Sequence, residues 1–320
     1  MSTPRSDIHV DGRTLSISNV DKVLYPRDGY TKGDLIAYYA SNARYILPHL
    51  RERPLTLERY PNGIDAPSFF EKHLPKGVPD WVARATVSHS DTERNAITFM
   101  LCNDAASLAY VANLAAIVLH VWTSRVASID EPDFIFFDLD PGDACSLRTL
   151  AKVALNLRNL LGAIGIAPLV KTSGGFGLHV VVPLTRGYAY TDAKLFAELI
   201  AHHMTDADPK NVTLERALAR RDQTAVYLDY LQVGRGKTIA AAYSARARDA
   251  APVSTPLRWS EVEAFARKRS GSPADAFAAF TIRSIAARLA SHGDLWAGKA
   301  WKLQRLEPAL AKARRVWGII

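Results

Sequence analysis

Cysteine is almost missing from this chain. The two that occur, Cys102 and Cys145, stand far apart. They offer no disulfide framework and no Cys-rich zinc site, and this usage fits a reducing, intracellular compartment. The first residues, Met1-Ser-Thr-Pro-Arg-Ser-Asp-Ile, lack the apolar core of a signal peptide. A bilayer-spanning run is also missing. The longest apolar stretch, Leu108 to Trp122, is interrupted by Asn113 and His120 and is too short to cross comfortably. It reads as a buried helix, and no membrane partner is expected. There are no internal repeats, and no low-complexity segment beyond an Ala/Arg-rich stretch after residue 251. Acidic residues are the minority, 32 against 40 basic, which leaves a formal charge of +8. That balance favours a polyanionic partner such as nucleic acid.

What is present is an ordinary globular composition, 48% hydrophobic and 22% charged over 320 residues. It suffices for one large domain or two modest ones. Residues 8–18 alternate weakly and predict a strand. Thr31 can cap a helix running to about Ala43, with Leu35, Ile36 and Tyr39 at helical spacing. Strands are expected at 52–60, Thr86–His89 and Ile97–Leu101, with Asn103-Asp104 opening the buried helix. The middle of the chain then changes character. A compact apolar strand over Asp133–Asp140 ends in acids. A helix over 147–163 carries Leu147, Leu150, Val153, Leu157 and Leu160 on one face. Strands at 169–172 and 178–183 follow, then a helix at about 191–204 and a strand at 225–231. This β–α–β–β–α–β order matches a split-βαβ sheet with helices on one face. Further helices are expected at about 259–268, 281–292 and 306–315.

Asp138 and Asp140, in Phe137-Asp138-Leu139-Asp140-Pro141-Gly142, are two residues apart. On a strand both carboxylates share one face, about 7 Å apart at the backbone. Acids so placed can share divalent cations that activate an attacking oxygen and stabilise a leaving one. Asp229 sits in another apolar strand, between Leu228 and Tyr230, where an unpaired carboxylate costs several kcal/mol. Alone, the pair of acids is equally compatible with a turn, since Pro141-Gly142 is a turn signal. A calcium loop is excluded: counting from Asp138, the positions that need Gly and Glu hold Asp143 and Thr149.

Lys171-Thr172-Ser173-Gly174-Gly175-Phe176-Gly177-Leu178-His179 joins two strands. Glycines allow backbone N–H groups to approach a phosphate, while Lys, Ser and His add charge and donors. The alternative is a plain glycine hairpin with a core histidine. The loop leads into a strand, not a helix, so it is no dinucleotide fingerprint. Gly236-Lys237-Thr238 is no P-loop either, because Leu231 stands where the upstream glycine belongs. Arg235, Lys237, Arg246 and Arg248 follow Asp229 closely and read either as a solvated basic face or as a triphosphate clamp.

Taken together, an Asp-x-Asp, a Ser-Gly-x-x-Gly-x-His and a later apolar-apolar-Asp, in that order, resemble the archaeo-eukaryotic primase superfamily. More closely, the chain resembles the polymerase domain of bacterial ATP-dependent DNA ligase D, over roughly residues 15–300. The resemblance implies an α+β fold: a primase-like catalytic core with an RRM-like split-βαβ sheet, an N-terminal α/β region packed on it, and C-terminal helices. The expected organisation is one domain over 1–300, with a DNA-end-binding part (1–130), a catalytic core (131–250) and a helical closing segment (251–300), then a tail at 301–320.

The same resemblance implies roles for individual residues. Asp138, Asp140 and Asp229 would be catalytic and bind two Mn²⁺ or Mg²⁺ ions. Lys171, Ser173, Gly174, His179, Lys237 and Arg246 would hold a triphosphate, with Gln232, Arg59 and His120 near the incoming nucleotide. Asn19, Lys22 and Lys32 match a segment that recognises a 5′-phosphate on the downstream strand, and Phe69-Phe70 an aromatic pair that stacks on bases at the DNA end. Glu58 departs from the pattern, since some relatives have a lysine there, and Arg59 is expected to compensate. Ala242 replaces a proline of some relatives, with no consequence assigned.

The implied reaction is templated addition of NTP or dNTP units to a primer 3′-hydroxyl, gap filling and end extension during non-homologous end joining. The implied partners are DNA with 5′-phosphorylated ends or gaps, Ku and a DNA ligase, in the nucleoid of the bacterial cytoplasm. With no ligase or nuclease segment in the sequence, a stand-alone homologue or an excised piece is expected. Two rival readings are a primase that starts chains without a primer and a non-catalytic DNA-end binding module.

Overall fold

The computed structural model describes residues 5–88 and 96–317. In chain order, a hairpin of β1 (Arg5–Val10) and β2 (Arg13–Ser18) precedes the short strands β3 (Val23–Tyr25) and β4 (Tyr30–Thr31). Helices α1 (Lys32–Ser41) and α2 (Ala43–Leu50) follow, then strands β5 (Leu55–Arg59), β6 (Phe69–Glu71), β7 (Arg84–Ser88) and β8 (Ala96–Met100). Next come α3 (Ala105–Asn113), β9 (Ala116–Trp122), β10 (Phe134–Pro141), α4 (Leu147–Ala163), β11 (Leu169–Thr172) and β12 (Leu178–Pro183). Helix α5 (Tyr190–Ala207) leads to β13 (Val212–Thr213), β14 (Val226–Asp229), β15 (Thr238–Ala240) and β16 (Pro256–Leu257). The remaining elements are α6 (Trp259–Arg267), α7 (Pro273–Phe277), α8 (Ile285–His292) and α9 (Leu306–Trp317). The expected α+β class is what is found.

The chain divides into two compact units. The first takes the residues up to Ala127, with Thr238–Ser254 and Phe280–Gly293. The second takes Ser128–Lys237, Thr255–Ala279 and the residues from Asp294 onward.

The first unit is built on a sheet of order β15-β9-β5-β8-β7, with β6 added beside β5. Thr31 caps α1 as its sequence suggested. Its hydroxyl accepts from the Asp34 N–H, and the Asp34 carboxylate accepts from the Thr31 N–H, a reciprocal capping box. Two buried tyrosines of α1 place their hydroxyls on carbonyls, Tyr38 on Tyr243 at 2.7 Å and Tyr39 on Ile117 at 2.8 Å. Burial therefore leaves neither hydroxyl unsatisfied.

Three expectations about this unit change. The weak strand at 8–18 is a hairpin. Asp11 and Gly12 form its turn, both at positive φ (49° and 71°), the Asp-Gly chemistry of a tight two-residue connection. The apolar run Leu108–Trp122 is not one helix. Helix α3 stops at Asn113, Ala115 takes φ 56°, and the rest is strand β9. The reason lies in composition: Ala-rich residues 105–112 suit a helix, while Ile117, Val118 and Val121 are β-branched and suit a sheet. His120 accordingly lies on a strand, not at a helix end. The strand expected at Thr86–His89 is β7, and His89 lies outside the described residues.

The second unit holds the β–α–β–β–α–β core. Its sheet has the order β13-β14-β10-β12-β11-β16, with β10 antiparallel to both β12 and β14. Ser146 caps α4 by accepting from the Thr149 N–H. The buried face of α4 is Leu147, Leu150, Val153, Leu157 and Leu161. Leu161 takes the place expected of Leu160, one residue further along the i+4 ridge. The opposite face of the sheet is the core: Phe137, Leu139, Val180 and Leu228 are fully buried.

Candidate active site

The second unit's sheet sets four candidate side chains in one row. Asp229 of β14 lies directly opposite Asp138 of β10, Asp138 opposite His179 of β12, and His179 opposite Lys171 of β11. Residues paired across adjacent strands share a face, about 4.8 Å apart from strand to strand. Asp140, two residues beyond Asp138, belongs to the same face. Alternation along β10 and registry across four strands thus bring together residues that lie 91 apart in sequence (138 to 229).

The row is internally bonded. Lys171 and His179 are buried, and Lys171 Nζ lies 2.7 Å from His179 Nδ1. An ammonium only donates, so Nδ1 accepts and Nε2 carries the ring hydrogen. Nε2 is 3.3 Å from Asp138 Oδ1 and donates to it. Lys171 stands behind His179 and fixes the ring from the inside. Asp140 is exposed and meets Arg221, whose Nη1 lies 3.4 Å from Oδ2. Arg221 also stacks 3.7 Å above the ring of Tyr227. The carboxylate of Asp229 accepts from the Leu231 N–H at 2.8 Å and from Gln232 Nε2 at 3.2 Å. Arg221 was not among the residues singled out by sequence. Its only signal is the run of arginines at 216, 220 and 221 ahead of β14.

The glycine loop closes on itself. The Ser173 hydroxyl accepts from the N–H groups of Gly175 and Gly177, each at 3.1 Å, and the Ser173 N–H donates to the Gly177 carbonyl. Gly174 takes φ 76°. Gly177 is required by space: a Cβ there would lie 2.5 Å from the Leu139 carbonyl oxygen, between the two acids. Lys237, beyond β14, is exposed.

Among the described residues, no three His, Cys, Asp or Glu side chains converge into a finished cage. Asp140 and Asp229 instead turn to Arg221 and to the Leu231–Gln232 turn. The backbone and the chemistry do fit. Three carboxylates on neighbouring strands of one face form an all-oxygen set suited to a hard cation such as Mg²⁺ or Mn²⁺.

In the first unit, the candidates fall into two groups. Lys32 is 5% exposed, and its ammonium donates to Asn113 Oδ1 (2.9 Å), the Asn113 carbonyl (3.1 Å) and Ser18 Oγ (3.3 Å). Burial, and the nearby Lys22 charge, pull its pKa below the usual lysine range. Lys22 is more open and donates to Asn62 Oδ1 at 2.9 Å. Asn19 is exposed and turns the chain at φ 51°.

The second group lies on the β6-β5-β9 part of the sheet. Phe69 and Phe70 are 44% and 61% exposed, far more than a core pair would be. Arg59 does not reach out: it pairs with Glu71 at 2.8 Å, donates to the Leu114 carbonyl at 2.8 Å and lies over Phe69. His120 faces Glu58, which also accepts from the Tyr60 hydroxyl. The Arg246 carbonyl accepts from the buried Tyr25 hydroxyl.

The sequence matches the LigD primase-polymerase domain family over residues 31–296. It is 35% identical over 291 residues to the multifunctional non-homologous end joining DNA repair protein LigD of Mycobacterium tuberculosis H37Rv, covering 88% of this chain and 36% of that protein. It is 34% identical over 280 residues to the bifunctional LigD of Bacillus subtilis, covering 87% of this chain and 43% of that protein. The chain therefore spans well under half the length of these relatives. Among solved structures, the polymerase domain of M. tuberculosis ligase D in complex with DNA superimposes with a TM-score of 0.79. That match has 35% identity and covers 88% of this chain and 96% of that one.

Proposed function

We propose a reaction for this chain from one premise: the chain belongs to the LigD primase-polymerase domain family. The reaction is transfer of NMP or dNMP from a nucleoside triphosphate to a primer 3′-hydroxyl, filling gaps and extending ends during non-homologous end joining. The primer oxygen bonds to the α-phosphorus, the bond from that phosphorus to the bridging oxygen breaks, pyrophosphate leaves and the hydroxyl proton passes to solvent. The observation that carries this reading is the row Asp229–Asp138–His179–Lys171, with Asp140 beside it.

Asp138, Asp140 and Asp229 would hold two Mg²⁺ or Mn²⁺ ions. Bound there, the ions would acidify the primer hydroxyl and neutralise charge on the leaving pyrophosphate. His179, braced by Lys171, would present a fixed ring edge to the triphosphate. Ser173 and Gly174 shape the loop beside it, and Lys237 and Gln232 would add charge and donors. In the first unit, His120 and Arg246 are assigned to the nucleotide, and Arg59, bonded to Glu71 and the Leu114 carbonyl, would take part only by leaving that pair. Phe70 and Phe69 are assigned to base stacking, and Lys22 and Asn19 to a 5′-phosphate. Lys32 would support that segment from beneath. Ku and a separate ligase are the proposed partners, in the nucleoid of a bacterial cytoplasm.

The test is extension of a labelled primer on a gapped, 5′-phosphorylated duplex, with NTPs and dNTPs and with Mg²⁺ and Mn²⁺ in parallel. Wild type is expected to add nucleotides, and the Asp138→Ala/Asp140→Ala variant to fall by about three orders of magnitude, the effect of losing about 4 kcal/mol of transition-state stabilisation. Equal extension by the two proteins would remove the enzymatic reading. Extension without any primer would move the reading to a primase.

A further inference from the structure

Five basic side chains gather at one corner of the second unit, where α4 begins and α6 ends. The two helices run antiparallel. Arg158, late in α4, pairs with Glu263 and lies over Trp259 at the start of α6, while Arg148, early in α4, reaches the last residues of α6. Arg148 donates to the Lys268 carbonyl at 2.9 Å and to the Arg267 carbonyl at 3.5 Å. The Leu147 N–H donates to the Gly271 carbonyl at 3.2 Å. Beneath, Phe265 of α6 meets Phe277 of α7 edge-on, ring centres 5.9 Å apart, and Ser272 caps α7. Residues 267–271 are thus tied down through their backbone. The side chains of Arg267, Lys268 and Arg269, with Arg148 and Lys152 beside them, are exposed.

Helix electrostatics accounts for only part of this charge. Arg267 and Lys268 suit the negative, C-terminal end of α6. Arg148 lies in the first turn of α4, the positive end, where a cation is disfavoured, and no acid stands in that turn. The two carbonyls it meets compensate Arg148. Lys152 stands one turn further, where the dipole contributes little, and Arg269 lies past the end of α6. The nearby acids are committed: Glu263 to Arg158 at 2.8 Å, with Arg267 at 3.8 Å, and Asp275 to the Ser272 hydroxyl at 2.7 Å. Asp143, in the loop before α4, is exposed. Among the described residues, Lys152, Lys268 and Arg269 form no ion pair. Cations so placed do little for the fold and suit a polyanion outside it.

We propose that Arg148, Lys152, Arg267, Lys268 and Arg269 form a seat for the phosphodiester backbone of DNA, on the duplex that carries the primer. Arg148 follows Asp140 by eight residues. The seat and the acids therefore lie within about 28 Å of each other, roughly eight base pairs at about 3.4 Å per step. Lysine and arginine heads on a fixed backbone contact phosphates without reading bases, so the seat would hold duplex of any sequence. The proposal rests on the polymerase reading in one respect, that the primer terminus lies at the acids.

The test uses the full chain as wild type, as K152Q/K268Q/R269Q, and as K299Q/K302Q/K312Q. The last removes the same charge from the C-terminal segment of the same unit. All six side chains are exposed, so both variants should keep the wild-type circular dichroism spectrum. Binding of a fluorescent primer–template is followed by anisotropy from about 50 to about 200 mM KCl, with about 4 or about 12 base pairs behind the primer 3′-end. On the longer duplex, K152Q/K268Q/R269Q is expected to bind about tenfold more weakly or worse. Its slope of log affinity against log salt should flatten by about 2–3, the counterions of about three phosphates. On the short duplex the loss should be small. The control variant should keep nearly the wild-type slope. An unchanged slope, an equal loss in both variants, or an equal loss on short and long duplexes would overturn the proposal. If the triple variant does not fold, R269Q decides alone: its slope should fall by about one, and an unmoved slope counts against the seat. A wild type that shows these differences yet adds no nucleotide would remove the polymerase reading and leave the seat standing.

Discussion

The two units hold their candidate side chains differently. In the second, registry across β14, β10, β12 and β11 sets Asp229, Asp138, His179 and Lys171 in a line, and Lys171, His179 and Asp138 are bonded one to the next. In the first, several charged residues that a sequence pattern assigns to ligands hold the protein itself together. Lys32 donates its hydrogen bonds to Asn113 and Ser18, and Arg59 is occupied by Glu71 and Leu114. A strand's alternation dictates which side chains share a face. Nothing comparable dictates where the end of a long lysine or arginine side chain will lie, because its stem can lie buried while the head finds internal acceptors.

The contrast between Lys32 and Lys22 is the sharpest way to break this comparison. Replacing Lys32 by Met removes the ammonium's hydrogen bonds to the half-buried Asn113 and Ser18 and is expected to cost about 2–3 kcal/mol in urea unfolding. Lys22→Ala should leave stability within about 0.5 kcal/mol, as for an exposed site, and should lose discrimination between gapped DNA with and without a 5′-phosphate. If the Lys32 variant unfolds like wild type, the internal role assigned to Lys32 is wrong.

A smaller effect separates two glycines of the second unit. Gly177→Ala drives a Cβ against the Leu139 carbonyl and is expected to destabilise by about 1–3 kcal/mol and to depress primer extension by displacing β10. Gly162, inside α4 with nothing within 4 Å of its added Cβ, should become more stable as Ala by up to about 1 kcal/mol, from helix propensity. Thermal melts of the two variants should shift in opposite directions; a shared direction would show that the crowding at Gly177 is relieved at little cost.

The smallest effect on folding is expected at Phe70. Its ring is mostly exposed, so Phe70→Ala should hardly change the melting temperature. Affinity for a DNA end should fall about tenfold, the contribution of one stacked base. A large loss of stability with unchanged DNA affinity would return Phe70 to the core role its hydrophobicity suggests.

The degree to which each unit is legible in the sequence follows from the same physics. The second unit was readable almost element by element, because its strands are short, apolar and punctuated by Pro141-Gly142 and the glycine loop. Asp138 and Asp140 were an open choice between turn and site until Asp229 and His179 joined them. Registry, which no single segment encodes, is what unites the four. The first unit was harder. Apolar content alone concealed the break at Asn113–Ala115, where a helix gives way to a strand, and the Asp11-Gly12 turn that splits a weak strand into a hairpin carried a signal that went unread. Arg221 is marked only by the arginines around it and Tyr60 by nothing, since contact with Asp140 or Glu58 depends on loop geometry and has no sequence period.

The central claim is that Asp138, Asp140 and Asp229 form one divalent-metal site by virtue of strand registry. Water-proton relaxation during titration with Mn²⁺ tests it without relying on turnover. Wild type should bind Mn²⁺ with strong enhancement, and Asp138→Asn, Asp140→Asn and Asp229→Asn should each weaken binding while the circular dichroism spectrum stays native. Wild-type Mn²⁺ binding by a folded protein carrying all three substitutions would contradict the account.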